Sequence, residues 1–346
     1  MIESNQTEEF DCASQRAAAS ALIKELARTF GFDKVGIARA AALNEEGSRL
    51  QEWLARGFHG EMKWMERDPQ QRADPRKLFP AAKTVVVVAL NYYTPHGYSV
   101  VPTADLRRDK QGAAVGTTAY PATGKISRYA WGDDYHEIVG DKLRQLMTAI
   151  KGRWPEAEGK VCVDIQPVMD KAWAVRAGLG WVGKHTNVIT HEFGSWIFIG
   201  ELLLNLELES DEIEVADQCG SCTLCIDACP TGAIVEPYVV DSQRCISHAT
   251  IESRAPEMQP DIAARLEGWL YGCDICQDVC PWNAMTPATD EPGFEPREGN
   301  VDASLPEILE LTPETYAARF RGSAMKRAKL AGLQRNAKTL LNRTPV

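Results

Sequence analysis

The stretch CGSCTLCIDACP at residues 219–230 decides the architecture of the second half of this chain. Cys219, Cys222 and Cys225 are separated by two residues each, and Cys229 follows after three and precedes Pro230. Three thiolates at two-residue gaps reach three corners of one cubane cluster, whereas a fourth sent off by a longer gap and a proline serves a neighbouring cluster. The mirror pattern returns in CDICQDVCP at residues 273–281, where Cys273, Cys276 and Cys280 precede Pro281 and Cys245 lies upstream. The two runs predict two [4Fe–4S] clusters. One is held by Cys219, Cys222, Cys225 and Cys280, the other by Cys229, Cys245, Cys273 and Cys276. A structural zinc site uses four ligands in two pairs, which neither run offers. The start of the chain (MIESNQTEEFDC) is acidic and polar, without the basic and apolar stretches of a secretory leader, so the thiols point to a reducing cytosol and not to disulfides.

Upstream of the cysteines the pattern is mixed. Residues 15–30 carry Ala19, Leu22, Ile23, Leu26, Ala27 and Phe30 on one helical face, with Gly31 as the stop. Further helices are expected over residues 45–56, 135–153 and 170–177, and strands over 34–38, 160–165, 187–190 and 195–204. Residues 84–93 (TVVVVALNYY) are apolar on both faces and β-branched, which predicts a central strand. A long polar connection with glycines covers residues 94–125 and is expected to be functional or mobile. The fold class is therefore α+β or α/β. Residues 1–212 form a first domain, 213–287 the two-cluster ferredoxin-like domain, and 288–346 a linker with short helices. No apolar run approaches the ~20 residues that span a bilayer, so no membrane partner is expected.

Charge is uneven. The net charge is −10, yet the last 28 residues hold eight Lys or Arg and no Asp or Glu. A basic tail on an acidic body is a candidate phosphate-binding surface; a solvated helix face is the plain alternative. Gly178, Gly180 and Gly183 spell G-x-G-x-x-G after a helix, the wrong context for a dinucleotide fold, and are read as a tight turn letting backbone approach a large cofactor. Asp134 precedes a helix, either as its N-cap or as an acid at the mouth of a pocket. The order Asp134, Tyr135, His136 nearly imitates D-x-H-x-x-G of histidine-on-cobalt proteins, but Gly140 falls one residue late, and His136 is not assigned to cobalt. Cys162 is read as core and Cys12 as part of a frayed terminus.

Together these residues resemble the epoxyqueuosine reductases. The resemblance is carried by RADP (72–75), SRYAWGDDYH (127–136), RAGLGWVGK (176–184), GSW (194–196), Gly200 with Glu201, the eight cysteines, RCIS (244–247), GSAMKR (322–327) and RNA (335–337). It spans the chain from about residue 20 to the end. Some members carry a longer helical-repeat tail, and some a cysteine near the position of Ser127.

The resemblance implies an oxidoreductase that removes the epoxide oxygen of epoxyqueuosine as water, giving queuosine at the wobble position of tRNA. It implies a base-off cobalamin, cob(II)alamin at rest, between an α/β domain related to corrinoid reductive dehalogenases and the cluster domain. By the same resemblance Asp134 is the proton donor, a role that would need burial to raise its pKa. Cobalamin contacts are expected beside the second cluster and the glycine turn: Met169, Asp170, Lys184, Asn187 and Val188 on one side, Ser247, His248, Thr250, Gly272, Asp274 and Ile275 on the other. Lys326, Arg327, Lys329, Arg335 and Lys338 would grip the backbone of the anticodon stem-loop. A flavodoxin or ferredoxin would supply electrons to a monomer. Rival readings are a reductive dehalogenase, disfavoured because Arg107–Arg108 is internal and forms no twin-arginine export signal, and an electron-transfer or corrinoid-reactivating protein.

Overall fold

The computed structural model describes residues 3–98, 123–211, 213 and 215–342, with side chains from residue 13 onward. Most of the connection read as mobile or functional, residues 99–122, lies outside the described residues, as does the side chain of Cys12. The centre of the N-terminal part is a four-stranded sheet of β1 (Lys34–Arg39), β2 (Thr84–Asn91), β3 (Gly159–Cys162) and β4 (Ile197–Leu204). Its order is β1-β2-β4-β3, and every neighbouring pair is antiparallel. The alternation of helix and strand thus yields, in this sheet, an antiparallel α+β layer.

β2 is central, and all eight of its residues are buried. Both faces are covered, which is why the strand shows no polar alternation. Val86, Val88 and Leu90 pack under α1 (Glu3–Thr29) and α2 (Tyr135–Arg153), through Ile23, Ala27, Val139, Leu143 and Leu146. Val85, Val87 and Ala89 on the opposite face meet Trp173 and Ala174 of α3 (Asp170–Arg176). α3 ends in Gly178 and a two-residue hairpin between Trp181–Val182 and Val188–Ile189. Gly180 sits so close to that hairpin that a Cβ would lie 2.0 Å from the carbonyl oxygen of Ile189. The glycine pattern therefore serves an internal close approach of backbone to backbone.

A second sheet joins three distant segments. Thr123–Ile126 pairs in parallel with Trp269–Tyr271 and antiparallel with Asp302–Ser304. Around it lies a core of Trp131, Trp269, Tyr271, Phe320, Met325 and Leu333. The tail helix α4 (Lys329–Leu341) buries Leu333, Ala337 and Leu340 here. No described helix is long and apolar enough to cross a membrane.

Candidate functional site

The cysteines fall into two groups. Cys219, Cys222, Cys225 and Cys280 line one cavity of about 290 Å³, with Trp282, Ile189 and Leu224 as apolar wall. Cys222 is exposed, whereas Cys225 and Cys280 are buried. Burial raises the Cys225 thiol, and the neighbouring charges of Cys280, Cys219 and Cys222 add to that rise. In the second group burial again dominates the rise of Cys273 and Cys276; Cys245 acts on both, and Cys229 acts on Cys276. Cys276 also senses Cys225, so the groups meet at these two residues.

Backbone amides point at the sulfurs. Lys184 N–H faces Cys219, Ser247 and His248 face Cys245, Ile275 faces Cys273, and Trp282 and Asn283 face Cys280. Thiols crowded together under burial, yet supplied with N–H donors, are arranged to be anions around a positive centre. Among the described residues no three of these side chains converge on a single-ion site. The two groups are open cradles, and they fit iron–sulfur clusters.

Beside the second group lies a hollow. The side chains of Asp164, Ile165 and Lys171 reach solvent, Ile165 at 74 % exposure, although protein crowds Asp164 and Lys171. Lys171 Nζ donates to Asn187 Oδ1 at 2.9 Å and lies within the field of Asp164, Cys276 and Asp170. Tyr135 Oη donates to Asp164 Oδ2 at 2.5 Å. Arg72 and, from the tail, Arg327 also act on Asp164. Asn187 and Val188 line a small cavity of about 80 Å³ with Lys171, Tyr92 and Gln277. Under this floor, burial pushes Asp170 up to about 7 and Glu201, which is 0 % exposed in β4, well above the carboxylate range. Each carboxyl faces the other, and the pair is stable only with a shared proton.

Asp134 caps α2, its Oδ1 accepting from His136 N–H at 3.1 Å. The same oxygen lies 2.7 Å from His136 Nδ1. Burial acts to raise the carboxyl, as expected from the sequence, but the hydrogen bonds and charge of His136 outweigh it and hold Asp134 below its usual range. Burial alone would lower His136; Asp134 and Asp164 together push it up to about 9. The expectation of a raised Asp134 is thus corrected, and the dissociable proton resides on its histidine partner.

Several expected contacts have other work. Lys184 Nζ donates to the carbonyls of Gly220 at 2.6 Å and Cys222 at 2.9 Å, clamping the first cysteine loop. Asp274 is 1 % exposed and accepts from Tyr98 Oη, Arg128 N–H and Ser127 Oγ, so its carboxylate is committed inside the protein. Thr250 Oγ1 accepts from Gly272 N–H at 3.0 Å and fixes that turn. His248 Nε2 accepts from Glu61 N–H and lines a separate cavity. Ser247 and Ile275 serve the thiols. Met169, Asp170, Asn187 and Val188 remain around α3 and the hairpin, next to the hollow. Lys171, Asp164, Tyr135 and Arg72 are the residues that sequence reasoning missed, although Arg72 and Tyr135 stand in the resembling segments.

In the tail, Lys326, Arg327, Lys329 and Lys338 are exposed. Arg335 is not: at 8 % exposure, its guanidinium donates to the carbonyls of Ala249, Ser253 and Ala255 and twice to Asn336 Oδ1. Its expected grip on a nucleic-acid backbone is corrected to a brace between α4 and the cluster region. Arg335→Ala is expected to destabilise the protein by about 3 kcal/mol, because three carbonyls lose their donors inside the fold. A lowered thermal midpoint would record it.

A family model described as "4Fe-4S double cluster binding domain" matches residues 218–283. One described as "Epoxyqueuosine reductase QueG, DUF1730" matches residues 72–165. The chain is 44 % identical over 299 residues to an epoxyqueuosine reductase of Synechocystis sp., covering 86 % of this chain and 96 % of that protein. It superposes with a TM-score of 0.82, at 31 % identity, on a crystal structure of epoxyqueuosine reductase with an epoxyqueuosine-modified tRNA-Tyr stem loop, covering 93 % of this chain and 80 % of that one. A Bacillus subtilis epoxyqueuosine reductase, with an aspartate-bearing catalytic loop swung out of its active site, matches with a TM-score of 0.81 and 30 % identity over the same shares.

Proposed function

The chain belongs to the epoxyqueuosine reductase family of oxidoreductases, and on that premise we propose that it converts epoxyqueuosine in tRNA to queuosine with electrons passed through two clusters to a cobalamin in the hollow. The observation that carries this reading is one juxtaposition: the Cys276 side of the second thiol group and the Asp134–His136 pair both address the space around Asp164 and Lys171.

Cys219, Cys222, Cys225 and Cys280 would hold the outer cluster and Cys229, Cys245, Cys273 and Cys276 the inner one. The exposed Cys222 marks the side where an external donor delivers electrons. A solvent-reaching isoleucine beside the charged Asp164 and Lys171 suits a large group with both apolar and amide surface. Met169, Asp170, Asn187 and Val188 are the contacts we assign to it, with Lys171 added. When bound, the clusters supply single low-potential electrons and the corrinoid supplies a reduced cobalt for C–O cleavage.

The remaining work falls to side chains. Opening an epoxide leaves charge on oxygen, and Asp134, at the rim, is the group we assign to give that oxygen a proton. Tyr135, stacked 4.0 Å from the His136 ring, helps to keep water from the acid. An anticodon-loop base is already unstacked and enters without melting a duplex. The tail meets its phosphates. Replacing Lys326, Lys329 and Lys338 by Ala is expected to flatten the plot of log affinity against log salt by about 2–3 units, each lost phosphate contact removing roughly 0.7–0.9. An unchanged slope would return these residues to the solvated helix reading.

The activity is tested by anaerobic incubation of the cluster- and cobalamin-loaded chain with an epoxyqueuosine-bearing stem loop and a low-potential reductant. The nucleoside is expected to lose one oxygen, and an unaltered nucleoside refutes the assignment.

A further inference from the structure

Conversion of an epoxide to an alkene consumes two electrons and two protons: both C–O bonds break, and the oxygen leaves as water. One carboxyl gives one proton. Asp134 moreover sits as a carboxylate against His136, so the site needs another place to keep its protons.

Both ring nitrogens of His136 face carboxylates. Nδ1 is 2.7 Å from Asp134 Oδ1, and Nε2 is 3.4 Å from Asp164 Oδ2. A carboxylate is acceptor-only, so each nitrogen must carry hydrogen to satisfy it, and the ring is an imidazolium. Asp164 is also tied to Tyr135 Oη and reaches solvent in the hollow. The row Asp134, His136, Asp164 therefore runs from the rim to water.

We propose that His136 is the proton store of this site: it passes its Nδ1 proton to Asp134 each time Asp134 protonates the leaving oxygen, and a solvent proton refills Nδ1 between transfers while Nε2–H stays on Asp164. The inference rests on the epoxyqueuosine reading. It makes His136 a positioning and supply residue, since Asp134 alone touches the substrate. In each transfer the Nδ1–H bond breaks as an O–H bond forms on Asp134; once Asp134 has given that proton to the leaving oxygen, a solvent proton forms the Nδ1–H bond again. The two electrons are those of the proposed reduction.

The surroundings favour the charged ring. Asp134 and Asp164 face it directly, and Tyr135 stacks on it. Lys326 from the tail acts on Asp134, while Lys171, Arg72 and Arg327 act on Asp164. Asp170 and Glu201, which share a proton, add at most one negative charge behind Asp164, and Tyr271 and Tyr129 lie against Tyr135. Burial opposes the charge, but the two carboxylates prevail and bring the ring to about 9. It is then loaded at neutral pH and empties only above pH 9.

The test uses His136→Gln, which keeps the backbone N–H that Asp134 caps. Its kcat/KM is expected to be about 10²-fold lower at pH 8 with KM unchanged, and its alkaline limb to fall at least two units below the wild-type limb near 9. Asp164→Asn, which leaves one carboxylate on the ring, should move the limb down by about one unit. Melting supplies a readout independent of turnover. A folded pKa of about 9 against an ordinary 6.5 stabilises fully below pH 6.5, and the contribution is lost as pH rises through 9. The melting gap between wild type and His136→Gln should therefore close over that window. A wild-type limb in both variants, or a gap that does not vary with pH, overturns the proposal. An inert wild-type enzyme would instead overturn the epoxyqueuosine reading on which it stands.

Discussion

Asp134→Asn is expected to abolish turnover, by about 10³-fold or more, while iron content, cobalamin uptake and fold are retained. The amide still accepts from His136 N–H, so the N-cap of α2 survives, and the stability lost is that of the His136 ion pair, about 1–2 kcal/mol at neutral pH. What is lost is a carboxyl that cycles a proton. General acid catalysis contributes roughly 10²–10⁴-fold where a positioned group meets developing charge, and the neighbouring carboxyl, Asp133, is engaged by Arg297. Single-turnover assays with the modified stem loop would measure the loss, and near-normal activity would remove Asp134 from the reaction. The variant also frees one side of His136, whose pKa should drop from about 9 toward the usual histidine range.

Cys276→Ala is expected to leave about four iron atoms per chain in place of about eight, and no activity. Cys276 is where the two thiol groups meet, and it also faces Lys171 in the hollow. Loss of the inner centre cuts the electron route on its last step, whatever remains on the outer cysteines. Cys162→Ala is the matching control. That thiol is 0 % exposed in β3, opposite Glu201, and is raised by burial like the others, yet lies in no group of four. It should keep all eight iron atoms and lose only packing, about 1 kcal/mol. Iron analysis and the spectrum of the reduced protein separate the two outcomes. Full iron in Cys276→Ala would refute the ligand assignment.

The second half of the site was legible because iron–sulfur ligation is written in short gaps: seven of the eight cysteines stand within two runs of nine and twelve residues. β2 was equally plain, since a strand covered on both faces must be apolar at every position. Asp134 was found at its helix start, but the direction of its pKa was not, because the opposing effect comes from a side chain two residues on that turns back over the cap. For Arg335 the composition of the tail misled. A basic residue on a helix reads the same whether it meets water or buried carbonyls, and only the packing of α4 against residues 249–255 shows which.

From the residue order alone follow the two cysteine runs, the central strand and the mixed α+β class, because each rests on spacings or periodicities within a few residues. The hollow, the bridging of His136 between Asp134 and Asp164, and the approach of Lys171 to Cys276 were decided by the tertiary structure. They join groups tens of residues apart, and the field felt by a buried charge depends on what folding brings within a few ångströms of it, not on its neighbours along the chain.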